Sequence, residues 1–206
     1  MRKYIFITLV LLTVYHCKAQ SLWDISKPDK AFVFGLRVGH NASNINGETE
    51  MAGTRSGLLA GIYTDYSFIK SLAFVSGAYY STKGFYSGND KAYMSYIQIP
   101  LQLSYRIRTK TNVKFHFNGG AYFAYGLDGD VKTGRQSLAE YYEFDQKAFG
   151  ENGFFKRLDI GASAGAHILF GNIQLGITYE YGIADIAKVY GNLHNRNVAV
   201  ALGYNF

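Results

Sequence analysis

The sequence predicts an all-β protein, an eight-stranded antiparallel up-and-down transmembrane β-barrel, and three observations support this prediction. Apolar and polar residues alternate with a period of two in about eight segments, as in strands that have two different faces. The connections between these segments are alternately short and long, as are the periplasmic turns and extracellular loops of outer-membrane barrels. The chain has 18 Tyr and 15 Phe but only 2 Pro, which favours sheet over helix.

The first four predicted strands are 32–43, 58–66, 72–83 and 93–107. The first alternates clearly, with Phe32, Phe34, Leu36 and Val38 on one face. The fourth contains Tyr96-Ile97-Gln98-Ile99-Pro100-Leu101-Gln102-Leu103, and its proline cannot donate a hydrogen bond to a neighbouring strand. Because a closed barrel has no free edge, we expect a bulge or one missing ladder bond at Pro100, on the inward face.

The last four predicted strands are 113–127, 155–169, 173–184 and 197–206. Gly171-Asn172 separates the sixth from the seventh and is typical of a two-residue hairpin. The stretch 160–179 has no formal charge and is long enough for a transmembrane helix. It is nevertheless rich in glycine, keeps its period of two and is interrupted by Gly-Asn, so two strands are favoured.

The predicted connections differ in length between the two ends of the barrel. Short turns are expected at 67–71, 108–112 and Gly171-Asn172, and longer polar loops at 44–57, 85–92, 128–154 and 185–196. The longest loop, 128–154, carries a group of aromatic residues, Tyr141, Tyr142, Phe144 and Phe149. A merely solvated loop is the expected interpretation, and the alternative is that a partner docks at these aromatic residues.

The amino-terminal residues predict export. Arg2 and Lys3 precede an apolar run over 4–15 and a small-residue site ending at Ala19, which together are typical of a signal peptide over residues 1–19. Residues 20–206 then form the barrel domain. The alternatives are lipoprotein processing at Cys17, where the preceding Tyr15 and His16 are bulky, and a retained anchor, for which the apolar run is short.

Signal cleavage changes both the charge and the cysteine content. It removes three basic residues, so the net charge falls from +6 to +3, with 18 basic residues against 15 acidic ones. The basic character is therefore poor evidence for nucleic-acid binding, and no nucleic-acid partner is expected. The single cysteine, Cys17, is removed as well, so no disulfide is expected.

The polar face of the strands decides between a membrane barrel and a soluble lipocalin-like barrel, in which the apolar face points inward. Glycines such as Gly35, Gly61 and Gly120 lie on that face among charged residues. Glycine would only destabilise a soluble exterior, but a narrow lumen needs small residues beside long charged side chains. The apolar face, with Ile97 and Val200, is therefore predicted to face lipid, between girdles of tyrosines.

The charges on the inward face form the predicted site. Because an unpaired buried charge is costly, we expect these residues to pair or to contact water. Arg37 and Glu180 are expected to approach each other across the last strand, with Asp159 nearby, and Asp65 is expected at the level of Arg106 and Lys114. The complete predicted network is Arg37, Asp65, Lys83, Arg106, Lys114, Arg157, Asp159 and Glu180. A rigid polar plug is the structural interpretation, and a gate for small ions is the functional one.

No catalytic, cofactor or metal site is predicted, and the protein is not expected to be an enzyme. Ser163 and His167 share a face but lie four residues apart, or about 13 Å along a strand, which is too far for a nucleophile–base hydrogen bond. The other histidines of the predicted mature chain, His40, His116 and His194, are scattered without metal-ligand spacing.

Several motifs resemble, in order, those of the PorT-like outer-membrane β-barrel family of Gram-negative bacteria. Tyr96-Ile97-Gln98-Ile99-Pro100-Leu101 is similar to that family's Y-[LI]-[EQ]-[IV]-P-L strand, and Tyr80-Ser81-Thr82-Lys83-Gly84 to its Y-S-x-K-G motif. Further similar segments, which extend the resemblance over nearly the whole mature chain, are 35–41, 118–122, 159–165, 179–182 and 202–206. The fifth-strand motif departs from the family pattern, with Gly120-Ala121 where Gly-Pro is usual.

The resemblance implies an eight-stranded barrel in the outer membrane of a Gram-negative bacterium. Tyr204 and Phe206 are similar to the carboxyl-terminal signal that barrel-insertion machinery recognises, and they could equally be ordinary girdle residues. The founding member's link to type IX protein secretion suggests secretion-system proteins as partners through the extracellular loops. We therefore expect a monomeric, non-enzymatic scaffold surrounded by outer-membrane lipid, and a narrow passive pore is the alternative.

Overall fold

The computed structural model describes residues 23–47, 53–87, 90–109, 113–132, 147–188 and 191–206, so the predicted signal peptide and most of the longest loop lie outside the described residues. Consecutive strands pair antiparallel, and the last pairs with the first, which closes the sheet into a barrel. The predicted fold class is confirmed. The strands are β1 (Phe32–Gly47), β2 (Gly53–Ile69), β3 (Leu72–Ser87), β4 (Asp90–Arg108), β5 (Val113–Lys132), β6 (Leu158–Phe170), β7 (Ile173–Gly182) and β8 (Leu193–Asn205).

Most strands are longer than predicted, chiefly at the end with the long connections. β2 begins at Gly53 rather than at 58, β5 continues to Lys132, and β8 begins at Leu193 rather than at 197. The reason is that ladder hydrogen bonds continue into polar sequence, where the apolar alternation used for the prediction has already ended. No helix in the described part of the chain is long and apolar enough to cross a membrane.

The two faces of the sheet differ as the alternation predicts. Side chains that point outward form a continuous exposed apolar surface with tyrosines nearer the strand ends, among them Leu36, Ile62, Ile99, Leu103, Ile177, Val200, Leu202, Tyr66, Tyr125 and Tyr204. The inward face buries polar and charged side chains, including Asp65, Lys83, Arg106, Asp159 and Glu180. An apolar exterior around a polar interior is the arrangement of a barrel whose solvent is lipid.

The pairing registers define the stagger of the barrel. Starting at Val33, the Cα partners run through Asp65, Val75, Gln102, Gly120, Ser163, Glu180 and Asn197 and return to β1 at Ser43. The circuit therefore closes ten residues beyond its starting point. Strands staggered in this way are tilted against the barrel axis, so residues at the same distance along different strands lie at different heights.

Pro100 interrupts one ladder without shifting its register. The pairing of β3 with β4 runs to Ser76↔Leu101, omits Gly77 and Ala78, and resumes in the same register at Tyr79↔Gln98. On the other side, β4 pairs with β5 without a break at Pro100↔Tyr122. The bulge that we considered for Pro100 is therefore absent there, because the interruption needs no extra residue. A bulge lies instead where Ser95↔Asp128 is followed by Tyr96↔Gly126, which leaves Leu127 of β5 as the extra residue.

The end with the short turns carries an additional segment. Residues 23–31 run along the β2–β3 turn, where Ser67 N donates to Ala31 O at 2.7 Å and Lys70 N donates to Ser26 O at 3.0 Å. Asp24 N donates to Ser71 Oγ at 2.8 Å. The chain therefore enters the barrel along the rim of this mouth.

Candidate functional site

A network of buried charged and amide side chains crosses the lumen. Lys83 of β3 lies between two carboxylates, with its Nζ 3.1 Å from Glu180 Oε2 and 3.8 Å from Asp159 Oδ2. The Lys83 and Asp159 side chains have no exposed surface, and Glu180 is 7% exposed. Removing these groups from water costs several kcal/mol per ion, and their mutual attraction offsets much of that cost.

Amide and hydroxyl groups supply the remaining hydrogen bonds to the two carboxylates. Gln98 Nε2 and Asn197 Nδ2 donate to Glu180 at 2.5 and 3.1 Å. Asn195 Nδ2 donates to Asp159 Oδ2 at 2.9 Å, and Tyr122 OH lies 3.2 Å from both Asp159 oxygens. The Tyr122 ring also packs against the Lys83 ammonium, 4.6 Å from the ring centroid.

The network joins seven of the eight strands. β3 to β8 each contribute a side chain to the contacts of Lys83, Asp159 and Glu180, and Asn41 of β1 accepts from Asn197 at 3.3 Å. Asn41 in turn donates to Ser81 Oγ at 2.9 Å. Because nearly every strand sends a buried side chain to this level, the lumen is filled there by protein atoms.

Arg37 does not approach Glu180, and the predicted pairing of these two residues is wrong. Arg37 Nη2 donates to Gln174 Oε1 at 2.6 Å, and its guanidinium lies 4.5 Å from the centroid of the Tyr63 ring. The reason is the stagger: the register places Arg37 beside Gly203 and Gln174, six residues along β7 from Glu180. Six strand residues correspond to about 20 Å.

A second ion pair lies nearer the short turns. Arg106 pairs with Asp65 and donates to Ser67 Oγ at 2.7 Å. The expected proximity of Asp65 and Arg106 is thus present. Lys114, which the same expectation included, forms no ion pair with any described residue.

Arg157 lies at the opposite rim, outside the network. Its Nη1 donates to the carbonyl groups of Gly126 at 2.7 Å and Leu127 at 3.0 Å. The predicted sixth strand began at 155 and so included Arg157, but β6 begins at Leu158. Strand alternation therefore does not apply at Arg157, and its prediction as a lumen residue is wrong.

An apolar cap covers the network on the side of the long loops. Phe149 and Phe155, from the segment 147–155, and Ile186 are buried against Tyr96 and other inward residues of β3 to β5. The ring of Phe149 lies so close to Gly126 that a Cβ at this position would overlap it. Phe149, which we predicted among the loop aromatics available to a partner, is therefore buried. Tyr141, Tyr142 and Phe144 lie outside the described residues.

The histidines and Ser163 do not form a nucleophile–base arrangement. Ser163 Oγ accepts from Gln102 Nε2 at 2.7 Å. His116 and His167 are buried and lie opposite each other on β5 and β6. His40 is exposed, while His194 Nδ1 lies 3.2 Å from Ala184 O. Within the described ranges, no group of three or more His, Cys, Asp or Glu side chains could hold a metal ion.

The amide side chains of the network were not among the residues of the predicted charge network. Gln98, Asn195 and Asn197 donate to the buried carboxylates, and Asn41 connects them to β1. Alternation alone could have indicated Asn195 and Asn197, since both lie on the inward face of β8. Asn195 was missed because the predicted last strand began only at 197, and Asn197 because the predicted network contained only charged residues.

The sequence of this barrel is similar to a known outer-membrane family, and its fold is similar to those of known outer-membrane proteins. The model of the outer membrane protein beta-barrel domain matches residues 18–188. Ail, the attachment invasion locus protein of Yersinia pestis, solved in complex with the heparin analogue sucrose octasulfate, is 15% identical, with 86% of this chain and 100% of that chain covered and a TM-score of 0.50. Neisserial surface protein A is 16% identical, with 84% and 97% covered and a TM-score of 0.52. No curated protein matches the chain in sequence.

At these identities, the likeness to the solved structures shows a shared fold. The family match covers most of the strands as well as the cap, and the fold has the apolar exterior and polar interior of a membrane barrel. The chain therefore belongs to the outer membrane protein beta-barrel domain family and lies in the outer membrane of a Gram-negative bacterium.

Proposed function

We propose that this protein is a non-enzymatic scaffold, a closed barrel that anchors extracellular loops in the outer membrane and presents them to partner proteins. The observation that carries the proposal is the buried network of Lys83, Asp159 and Glu180, to which seven strands contribute. A scaffold tolerates such a plug, whereas a pore needs a continuous wet path. The cap around Phe149 and Phe155 adds a second obstruction on the loop side.

The contacts of Ser163 support the non-enzymatic part of the proposal. Its hydroxyl accepts from Gln102, while His167 lies four residues away on the same strand. Activating a serine requires a base within hydrogen-bonding distance. The described residues around Ser163 supply no such base.

The sharpest test of the scaffold against a narrow pore is conductance in planar lipid bilayers. We expect the purified wild-type barrel to give no conductance steps above those of the bare bilayer. A variant that removes side chains from the plug, Lys83→Ala/Tyr122→Ala, should conduct, provided that it still shifts on heating in gel electrophoresis as a folded barrel does. Stable steps from the wild-type barrel would instead establish the pore.

For the partners, we propose type IX secretion-system proteins that contact the extracellular loops. The support is the ordered set of motifs that resembles the PorT-like family, including Tyr96 to Leu101 and Tyr80 to Gly84. Proteins released into the medium should be compared between cells with and without the gene. Cargo trapped in the periplasm of the deletion strain is the expected result, and an unchanged set of released proteins would remove this partner class.

Insertion and the oligomeric state complete the proposal. Tyr204 and Phe206 point outward, with ring centroids 5.3 Å apart, and we propose that barrel-insertion machinery recognises them. A Phe206→Ala variant should accumulate in the periplasm, whereas Phe170→Ala, which removes an exposed ring at another strand end, should insert normally. Equal insertion of both variants would contradict this role.

The barrel is further proposed to be a monomer in outer-membrane lipid. Light scattering should therefore give the mass of a single barrel.

A further inference from the structure

A cavity of about 240 Å³ opens at the short-turn end of the barrel, which is the periplasmic end in this family of folds. It lies outside the plug and the cap. The charged side chains that line it are Asp29, Lys30, Asp65, Arg106, Arg108 and Lys114. Four cations thus face two carboxylates, and the side chains leave a formal excess of two positive charges.

The strand register places like charges opposite one another in this cavity. Arg108 of β4 and Lys114 of β5 are direct Cα partners. Like charges in directly opposite positions on one face destabilise an antiparallel pair. Asp29 contacts Arg108 at 2.7 Å, whereas Lys114 has no ion pair among the described residues. Lys30 also lacks an ion pair among the described residues, but it is exposed, so Lys114 is the partly buried cation of the cavity that has no ion pair.

Residues of the same cavity carry buried nitrogen atoms that lack hydrogen-bond partners. These atoms are Arg106 Nε, Arg108 Nε and His116 Nε2, and one acceptor in the same cavity, Asp65 Oδ1, also lacks a partner. Arg106 and His116 are only 7% and 5% exposed. Buried polar groups are nearly always hydrogen-bonded, and each exception calls for an explanation. An oxyanion in the cavity would supply both the missing acceptors and the missing negative charge.

We propose that this cavity binds a dianionic phosphate group, as inorganic phosphate or as a phosphate monoester in the periplasm. Phosphate monoesters carry about −1.5 to −2 charges at pH 7 and three strong acceptor oxygens, which suits two excess positive charges and several unsatisfied donors. Guanidinium groups also match the geometry of phosphate oxygens. The phosphate group of a phospholipid is a diester with only one negative charge, so it would neutralise less of the excess positive charge in the cavity. The proposal is independent of the scaffold function.

The test uses the full barrel folded in a maltoside detergent, which contains no phosphate. Isothermal calorimetry and thermal unfolding are followed at pH 7 as inorganic phosphate replaces chloride at constant ionic strength. We expect saturable binding and a higher midpoint of unfolding. Lys114→Gln should weaken binding by about tenfold or more, because a hydrogen bond to a charged group is worth about 1.5–3 kcal/mol. Lys114→Arg, which keeps the charge, should retain binding.

Lys132→Gln is the matched control, because Lys132 lies on the same strand but at its opposite, exposed end. It should bind phosphate as the wild type does. Absence of saturable binding, or an equal loss in Lys132→Gln and Lys114→Gln, would overturn the proposal. So would the loss of binding in Lys114→Arg.

Two further probes distinguish the source of the phosphate group. Binding of phenyl phosphate as tightly as inorganic phosphate would assign the site to phosphate monoesters, and binding of inorganic phosphate alone would assign it to the free ion. Either result supports a dianion site. Equally tight binding of dimethyl phosphate, a monoanionic diester like the phospholipid group, would overturn it.

Discussion

Two carboxylates, those of Asp159 and Glu180, share one buried ammonium group in the lumen. Removing one member of a buried ionic group is far more destabilising than replacing the whole group, because the remaining charges lose their counter-charge. At the residue scale, Lys83 is therefore expected to contribute most to the stability of the plug. The amide groups around it contribute hydrogen bonds to the two carboxylates.

Lys83→Met should lower the free energy of unfolding by about 3–5 kcal/mol, because it leaves Asp159 and Glu180 without a cation. Urea unfolding in detergent micelles, followed by circular dichroism, measures the change. The triple variant Lys83→Met/Asp159→Asn/Glu180→Gln removes all three charges and should recover most of the loss. A single variant as stable as the wild type would show that the ion pairs do not hold the plug together.

Asp185, in the loop after β7, provides a prediction about pH. Hydrogen bonds from Leu193 N, Lys156 Nζ and Ala187 N lower the pKa of Asp185 from 3.8 to about 2. Because the pKa is lower in the folded loop, the carboxylate stabilises the loop fully above pH 3.8. That contribution is lost as the pH falls through about 2.

We expect the amide signals of Ala187 and Leu193 in NMR spectra to shift together below pH 3.8, with a midpoint near 2. Asp185→Asn keeps an acceptor oxygen but cannot titrate, so its signals should not move over that range. Signals that titrate in Asp185→Asn as they do in the wild type would exclude Asp185 as the responsible group.

At the scale of the elements, the cap depends on a close approach between a loop and a strand. The Phe149 ring occupies the space beside Gly126 of β5, and the cap is joined to that strand by the hydrogen bond from Ala148 N to Gly129 O at 2.7 Å. A side chain at Gly126 and the Phe149 ring cannot both occupy this space.

Gly126→Ala should therefore displace Phe149 and open the cap. Limited proteolysis of the segment 147–155 on intact cells or proteoliposomes measures the effect, and cleavage should become faster. Gly119→Ala, on the same strand, is the matched control because a Cβ at Gly119 meets no atom within 4 Å. Equal protection of the segment in both variants would show that the close contact does not hold the cap in place.

At the scale of the whole molecule, the ten-residue stagger of the barrel decides which side chains meet. Closure between β1 and β8 sets this stagger and pairs Leu36 with Tyr204 on the outer face. Direct antiparallel partners have Cα atoms about 4.5–5.5 Å apart, within the range that a disulfide can span.

Leu36→Cys/Tyr204→Cys should therefore form an intramolecular disulfide on oxidation of the folded barrel, seen as a mobility shift that a reductant reverses. Leu36→Cys/Val198→Cys places the second cysteine on the same face but six residues from the register partner, and it should stay reduced. Cross-linking of the second pair in preference to the first would mean that the barrel closes with a different stagger.

The sequence correctly predicted the strand count, the antiparallel order and which face of the strands is polar. These properties follow from local alternation, from turn signals such as Gly171-Asn172 and from connection length. Each of these signals can be recognised within a short stretch of the sequence. It also identified most of the inward charges and the proximity of Asp65 and Arg106. The PorT-like assignment remains a prediction, finer than the family that the match establishes.

Which charged side chains contact each other could not be predicted locally, because it depends on how the whole barrel closes. Arg37 lies beside Gln174 and Lys83 lies between Asp159 and Glu180, because the height of a residue in a tilted barrel depends on the cumulative register of all eight strands. Arg157 and Phe149 were misplaced because alternation ends where a strand ends, and the folding of a loop onto a barrel depends on distant residues such as Gly126. Local periodicity determines the face on which a side chain lies, and closure of the whole sheet determines its neighbours.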